Sequence, residues 1–179
     1  MTGRRLARLI AGLAAERRGS AAVEFALVLP ALVTLFFGTV EVANLTLAYM
    51  KLVSAAETVA DLVTQQKTVS SGDIDNIAKA GQLVLTPLPP GPFGVAIASV
   101  TFSPANGKAA LAWQDTRNAA PMTNPTSLAA GFGNAGESVV IVVATYSYSS
   151  PISYVLTGPI TLSETAYLRP RLTSAVAHS

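Results

Sequence analysis

The chain has 179 residues, half of them hydrophobic and only 12% charged, well below the roughly 25% of an ordinary soluble domain. Its formal charge of +2 is lopsided: Arg4, Arg5, Arg8, Arg17 and Arg18 face only Glu16 in the first 19 residues, while from Ser20 onward seven basic residues stand against nine acidic ones. With no basic face on the later chain a nucleic-acid partner is excluded, and with no cysteine so are a disulfide framework, a Cys-based metal site and a thiol nucleophile.

The arginines precede an uncharged run, FALVLPALVTLFFGTV, Phe25 to Val40, and so read as a cytoplasmic flank under the positive-inside rule. That run alone gives about 24 Å of helix, short of the roughly 20 residues a bilayer crossing needs. The span must borrow from its flanks, which brings Glu24 or Glu41 to the membrane boundary or inside it. Pro30 removes a backbone donor and predicts a kink, which membrane helices tolerate.

The helical pattern continues beyond the greasy run. Leu52, Ala55, Ala56, Val59, Leu62 and Val63 recur at three- and four-residue spacing, with Lys51, Glu57, Asp61 and Gln65 on other faces, the mark of an amphipathic helix. With no Gly or Pro between Glu41 and Lys67, the expectation is one helix from about Ser20 to Lys67, its second half needing cover on one face. The expected division is a basic leader (1–19), a transmembrane helix (20–48) and an exported domain (49–179).

Ser70-Ser71-Gly72 breaks the helix, and Asp73 is the N-cap or first-turn acid of a short second one, IDNIAKAGQLVL. TPLPPGPFG, with four prolines and two glycines in nine residues, is a loop. The period then changes to two. Val95–Phe102 is a strand, Asn106-Gly107 marks a hairpin, AALAWQD is the return strand, and residues 116–136 are loop-like. Glu137–Ser149 is the most strand-like stretch of the chain, and Ile160–Leu168 closes a fourth strand. The fold class expected is α+β, a long helix packed on a roughly four-stranded antiparallel sheet.

Sites of catalysis are hard to find. Gly131-Phe132-Gly133-Asn134-Ala135-Gly136 fits G-x-G-x-x-G, but a loop precedes it and a strand follows, the wrong context for dinucleotide binding. His178, the sole histidine, stands near a terminus, where a base is poorly positioned. Asp73 and Asp75 lack the glycine and closing glutamate of a calcium loop. Asn44-Leu45-Thr46 fits a glycosylation acceptor but falls at membrane depth. Trp113, Tyr146, Tyr148 and Tyr154 lie on or beside strands and read as packing residues. No catalytic residue, metal ligand or cofactor is assigned.

The N-terminal pattern is more informative. The apolar core is too long for a conventional secretory signal, and no small-residue cleavage site follows it in a break from helix. The paired arginines lack a twin-arginine context. What fits is a short basic leader ending in glycine, with the cut before the apolar run.

GSAAVEFALVLPALVTLFFGTVEVANL resembles the N-terminus of the TadE-like family, minor pseudopilins of the tight-adherence (Flp-type, type IVc) pilus system. Gly19, Glu24, Phe25, Pro30 and the long apolar helix carry the resemblance; AWQ around Trp113, SVVIVVATYSY and Arg169-Pro170-Arg171 resemble the family's downstream pattern. The resemblance implies a type IV pilin-like fold and a non-enzymatic role in pilus assembly and cell adhesion. It implies insertion in the bacterial inner membrane with the N-terminus cytoplasmic and the head periplasmic, and entry into an extracellular pilus. A prepilin peptidase would cut between Gly19 and Ser20. The partners implied are that peptidase, other pilins and pseudopilins, inner-membrane assembly proteins and membrane lipid.

The cut would create an ammonium group at Ser20 with Glu24 four positions on, on the same helix face. Pairing the carboxylate with its own amine or a neighbour's lowers the cost of both charges near lipid. Ala21, Ala22 and Ala26 are small enough for close helix approach. Two other readings remain open: an uncleaved single-pass anchor carrying a periplasmic binding or assembly module, and a secreted α+β enzyme, the latter disfavoured by the missing acid–base or metal constellation.

Overall fold

The computed structural model describes residues 18–179; Arg4, Arg5, Arg8, Glu16 and Arg17, and with them nearly all of the expected leader, lie outside the described residues. Helix α1 runs without a break over Arg18–Thr64, 47 residues, which at 1.5 Å per residue is about 70 Å. It has two characters. No residue from Gly19 to Val40 is buried by the rest of the chain, although that stretch carries Val23, Phe25, Leu27, Leu35 and Phe36, all more than half exposed. From Glu41 onward the helix packs on the head. Leu52, Ala55, Ala56, Val59 and Val63 are fully buried, the stripe their spacing predicts; Leu62 is only half-buried at its margin.

The helix ends three residues earlier than its Gly- and Pro-free sequence implies. The reason is tertiary: the Thr64 carbonyl accepts from Arg171 N–H at 3.0 Å and the Lys67 carbonyl from Ala177 N–H at 3.0 Å. These bonds draw the chain into β1 (Thr68–Val69), which pairs in parallel with β6 (Ala177–His178). The second helix, α2, covers Ser71–Val84. Ser70 Oγ accepts from Asp73 N–H, and Asp73 in turn accepts from Ser70 N–H at 2.9 Å. Asp73 is therefore the first-turn acid of a capping box, and Ser70 the cap.

Strands β2 (Phe93–Phe102), β3 (Ala109–Arg117), β4 (Ser138–Tyr148) and β5 (Ile160–Leu168) form one antiparallel sheet in the order β3-β2-β4-β5. The fold is α+β, as expected. Between Ser99 and Val100 of β2 the register against β3 slips from Trp113 to Leu111, so Ala112 is the extra residue of a bulge.

β4 reads as an unbroken apolar run because both its faces are covered. Val140, Val142, Ala144 and Tyr146 face α1 and α2 in the main core, while Val139 and Ile141 join Val100, Phe102 and Ala129 in a smaller core on the other face. The cover for that second face is the loop expected at 116–136. It begins after β3 ends at Arg117 and contains a one-turn helix, α3 (Pro125–Leu128), a departure from its purely irregular reading. Each fully buried Val or Leu contributes about 1.5–3 kcal/mol relative to exposure, so the upper half of α1 is held mainly by its apolar stripe.

Candidate functional site

The residues singled out by the N-terminal pattern share the exposed part of α1. Gly19, Ser20, Glu24 and Phe25 are all exposed. A Cβ built at Gly19 meets nothing within 4 Å. Packing within the described chain thus does not demand glycine there, although glycine weakens a helix by about 1 kcal/mol relative to alanine. Pro30 is accommodated within the continuous helix; its ring leaves the Ala26 carbonyl without the usual amide partner, and its own carbonyl accepts from Thr34 Oγ1 at 2.9 Å. Gly19–Thr64 is the described helix long and apolar enough to cross a membrane, and its uncovered part, Gly19–Val40, is about 33 Å long, close to the hydrocarbon thickness of a bilayer.

Where that exposed stretch ends, the structure shows a site that was not singled out in the sequence. Glu41 is fully buried. Its Oε1 accepts from Tyr154 N–H at 2.6 Å and Ser150 Oγ–H at 3.1 Å, and its Oε2 from Val155 N–H at 2.9 Å and Leu156 N–H at 2.7 Å. Four donors on a group with about four acceptor positions leave little of it unused. The donors belong to the loop between β4 and β5. Ser150 Oγ also accepts from Ile152 N–H and Ser153 N–H at 3.3 and 3.2 Å, and Tyr154 packs against Phe37 with ring centroids 5.4 Å apart. A signal for Glu41 was present, an acid beside an apolar run, but its donors come from more than 100 positions away.

Above this clasp, Tyr49 donates from its hydroxyl to Glu164 Oε2 at 2.6 Å, joining α1 to the edge strand β5. This bond and the carboxylate's charge raise the Tyr49 pKa above the ordinary phenol value. Lys51 Nζ donates to the Thr86 carbonyl at 2.5 Å. Lys51 also borders a groove of about 520 Å³, bounded by Asn44, Ala48, Pro87, Pro89, Tyr146 and Tyr148.

The remaining candidates fall into structural roles. Gly131 and Gly136 both take φ of 84° in turns before β4, with no helix following, and Asn134 bonds to Glu137. Asp73 serves the capping box, and Asp75 pairs with Arg117. Tyr146 and Tyr148 are core residues. Trp113 donates from Nε1 to the Val176 carbonyl at 2.7 Å and lies against His178, ring centroids 5.2 Å apart.

His178, although near the terminus, has defined contacts. It belongs to β6, and its Nε2 lies 3.4 Å from Asp115 Oδ2. Asp115 also accepts from Arg117 Nη1 at 2.6 Å and Thr116 N–H at 2.7 Å. Burial pushes the Asp115 carboxyl up, but Arg117 and the Thr116 amide outweigh it and hold the carboxyl below the ordinary aspartate range. Among the described residues no group of three or more His, Cys, Asp or Glu side chains forms a metal site.

Comparison with known proteins adds one positive finding. Residues 19–61 match the family model described as TadE-like protein, a stretch that begins at the exposed base of α1, includes Glu24, Phe25, Pro30 and Glu41, and ends within the head-packed stripe. No curated protein and no solved structure matches the chain.

Proposed function

We infer from the TadE-like segment that the chain is a protein associated with a tight-adherence pilus, and we propose that it acts there as a minor pilin or pseudopilin. In this reading the exposed base of α1 crosses the inner membrane, the N-terminus is cytoplasmic, and the head stands in the periplasm. A prepilin peptidase removes the basic leader at the Gly19–Ser20 bond. The processed helix then packs with other pilin helices, with Glu24 pairing with a Ser20 ammonium group, its own or a neighbour's.

The observation that carries the reading is the largely uncovered apolar stretch Gly19–Val40, about 33 Å long, within the matched segment. Gly19 adds support: glycine there is unfavourable for the helix and unexplained by packing, which suits recognition by a narrow protease site. Glu24 supports it as an exposed acid one turn into an otherwise apolar stretch, since intramembrane acids are generally functional.

The test is the N-terminus of the protein recovered from its native host, read by intact mass. Ser20 as the first residue is the expected result; an intact leader would overturn the processing claim. Gly19→Leu should leave the leader attached, and Glu24→Ala should impair assembly while membrane insertion persists. The groove beside α1 favours a second reading, an uncleaved anchor carrying a periplasmic binding or assembly module, which a retained leader in a functional protein would support.

A further inference from the structure

The β4–β5 loop, residues 149–159, has an unusual composition for an exposed connection. No charged residue occurs between Glu137 and Glu164, and within the loop Ile152, Tyr154 and Val155 are 38%, 50% and 46% exposed. The loop begins beside the head-packed part of α1, where Ser149 and Pro151 line a groove with Asn44 and Ala48, but it does not stop there. It reaches down the helix: Tyr154 meets Phe37, and Val155 closes a shallow apolar cleft with Thr34, Leu35, Gly38, Thr39 and Val42. From Thr34 to Glu41 the helix rises about 10 Å, so the loop runs alongside the last two turns of the uncovered stretch.

Its backbone is equally telling. A loop in water needs no internal partners for its amides, whereas a loop at membrane depth must satisfy them within the protein. Here five consecutive N–H groups, Ile152 to Leu156, all donate internally, two to Ser150 Oγ and three to the Glu41 carboxylate. The acceptor is supplied by the helix itself, at the point where its burial begins.

We propose that the β4–β5 loop is a membrane-contacting foot. Ile152, Tyr154 and Val155 enter the boundary between lipid headgroups and acyl chains beside Phe36 and Phe37, and Glu41 makes this possible by taking up the loop's backbone donors. The partner is the lipid surface. A tyrosine with an apolar ring and a polar tip suits that layer, and the loop's apolar face is continuous with the apolar face of the helix. The proposal rests on the membrane-anchor reading of α1.

The absence of native cysteine permits a direct test with the full chain, one copy per lipid nanodisc. Single-cysteine variants Val155→Cys, Ile152→Cys, Leu27→Cys and Asn106→Cys carry an environment-sensitive fluorophore, and nitroxides are placed on the lipid headgroup or at mid-chain. Asn106 lies in the β2–β3 turn, at the opposite end of the sheet. The Val155 and Ile152 probes should be quenched several-fold more than the Asn106 probe, and most by headgroup nitroxides; the Leu27 probe should respond most to mid-chain ones. Quenching at Leu27 with none at positions 152 and 155 would overturn the foot and leave the anchor standing. Absence of quenching at Leu27 as well would overturn both. A blue-shifted but unquenched probe at 155 would mean that protein, not lipid, covers the loop, and would also overturn the proposal.

Discussion

Glu41 and Leu156 stand 115 positions apart, and the carboxylate of one accepts the backbone N–H of the other at 2.7 Å. This bond and its three companions fix where helix and head meet. Glu41→Ala removes every one of these acceptors and leaves the amides of residues 154–156 without partners. It should lower the thermal midpoint of the full chain in detergent by several degrees and open the 149–159 segment to amide exchange. Glu41→Gln keeps one acceptor oxygen and should fall between alanine and wild type. Equal protection of the loop in all three proteins, by exchange mass spectrometry, would show that the clasp does not hold it.

Gly94 lies where β2 meets the end of β3. A Cβ there would sit 2.2 Å from the Asn118 carbonyl oxygen and 2.9 Å from Thr145 Oγ1, and the obstructing oxygen is backbone. Gly94→Ala should cost about 1–3 kcal/mol in denaturant unfolding, the usual range for overpacking. Gly72, in the first turn of α2, has its nearest neighbour at 3.8 Å, so Gly72→Ala should be neutral or stabilise by up to about 1 kcal/mol. The reverse order of the two effects would be incompatible with this packing.

Acid should loosen the C-terminal closure before the sheet. The Asp115 carboxyl is held below the ordinary aspartate range: burial opposes this, and Arg117, the Thr116 amide and His178 favour it. A carboxyl depressed in the folded state contributes stability that is complete above its unfolded value and is lost as pH falls through the folded value. Exchange protection of the β1–β6 pair should therefore decline on acidification below the ordinary aspartate range, and Asp115→Asn should flatten that decline. An unchanged acid response in the variant would remove Asp115 from the account.

Trp113 ties the same region through its indole N–H. Trp113→Phe keeps an aromatic ring against His178 but cannot donate to the Val176 carbonyl. A loss of about 0.5–1.5 kcal/mol is expected from the missing bond, with faster exchange confined to residues 176–179 as the discriminating readout.

The parts of the fold that were legible in the sequence are those with local or periodic causes. The α1 stripe from Leu52 to Val63, the turn at Asn106-Gly107 and the β-branched run of β4 each declare themselves within a short window. The β1–β6 pair does not: two residues on each side, joined across more than 100 positions, have no periodicity to display. His178 was read as a poorly positioned residue near a terminus for that reason, since nothing near it in the chain names Thr68–Val69 as its neighbour. The N-terminal candidates Gly19, Glu24 and Phe25 were visible because they interrupt or border an apolar run. Glu41 borders the same run, but three of its four partners are backbone amides, which every loop possesses and no sequence pattern marks.

Because α1 is one rod from its exposed base to Thr64, the chain has no tether between its greasy end and its head. A head on a flexible stalk could stand at variable height. Here the spacing is set by residue count: the head's β4–β5 loop is clasped at Glu41, the residue that follows Val40. In the anchored reading proposed above, a partner that grips this head works close against the bilayer, and a pull on the head passes to the anchor through continuous helix rather than through a slack linker.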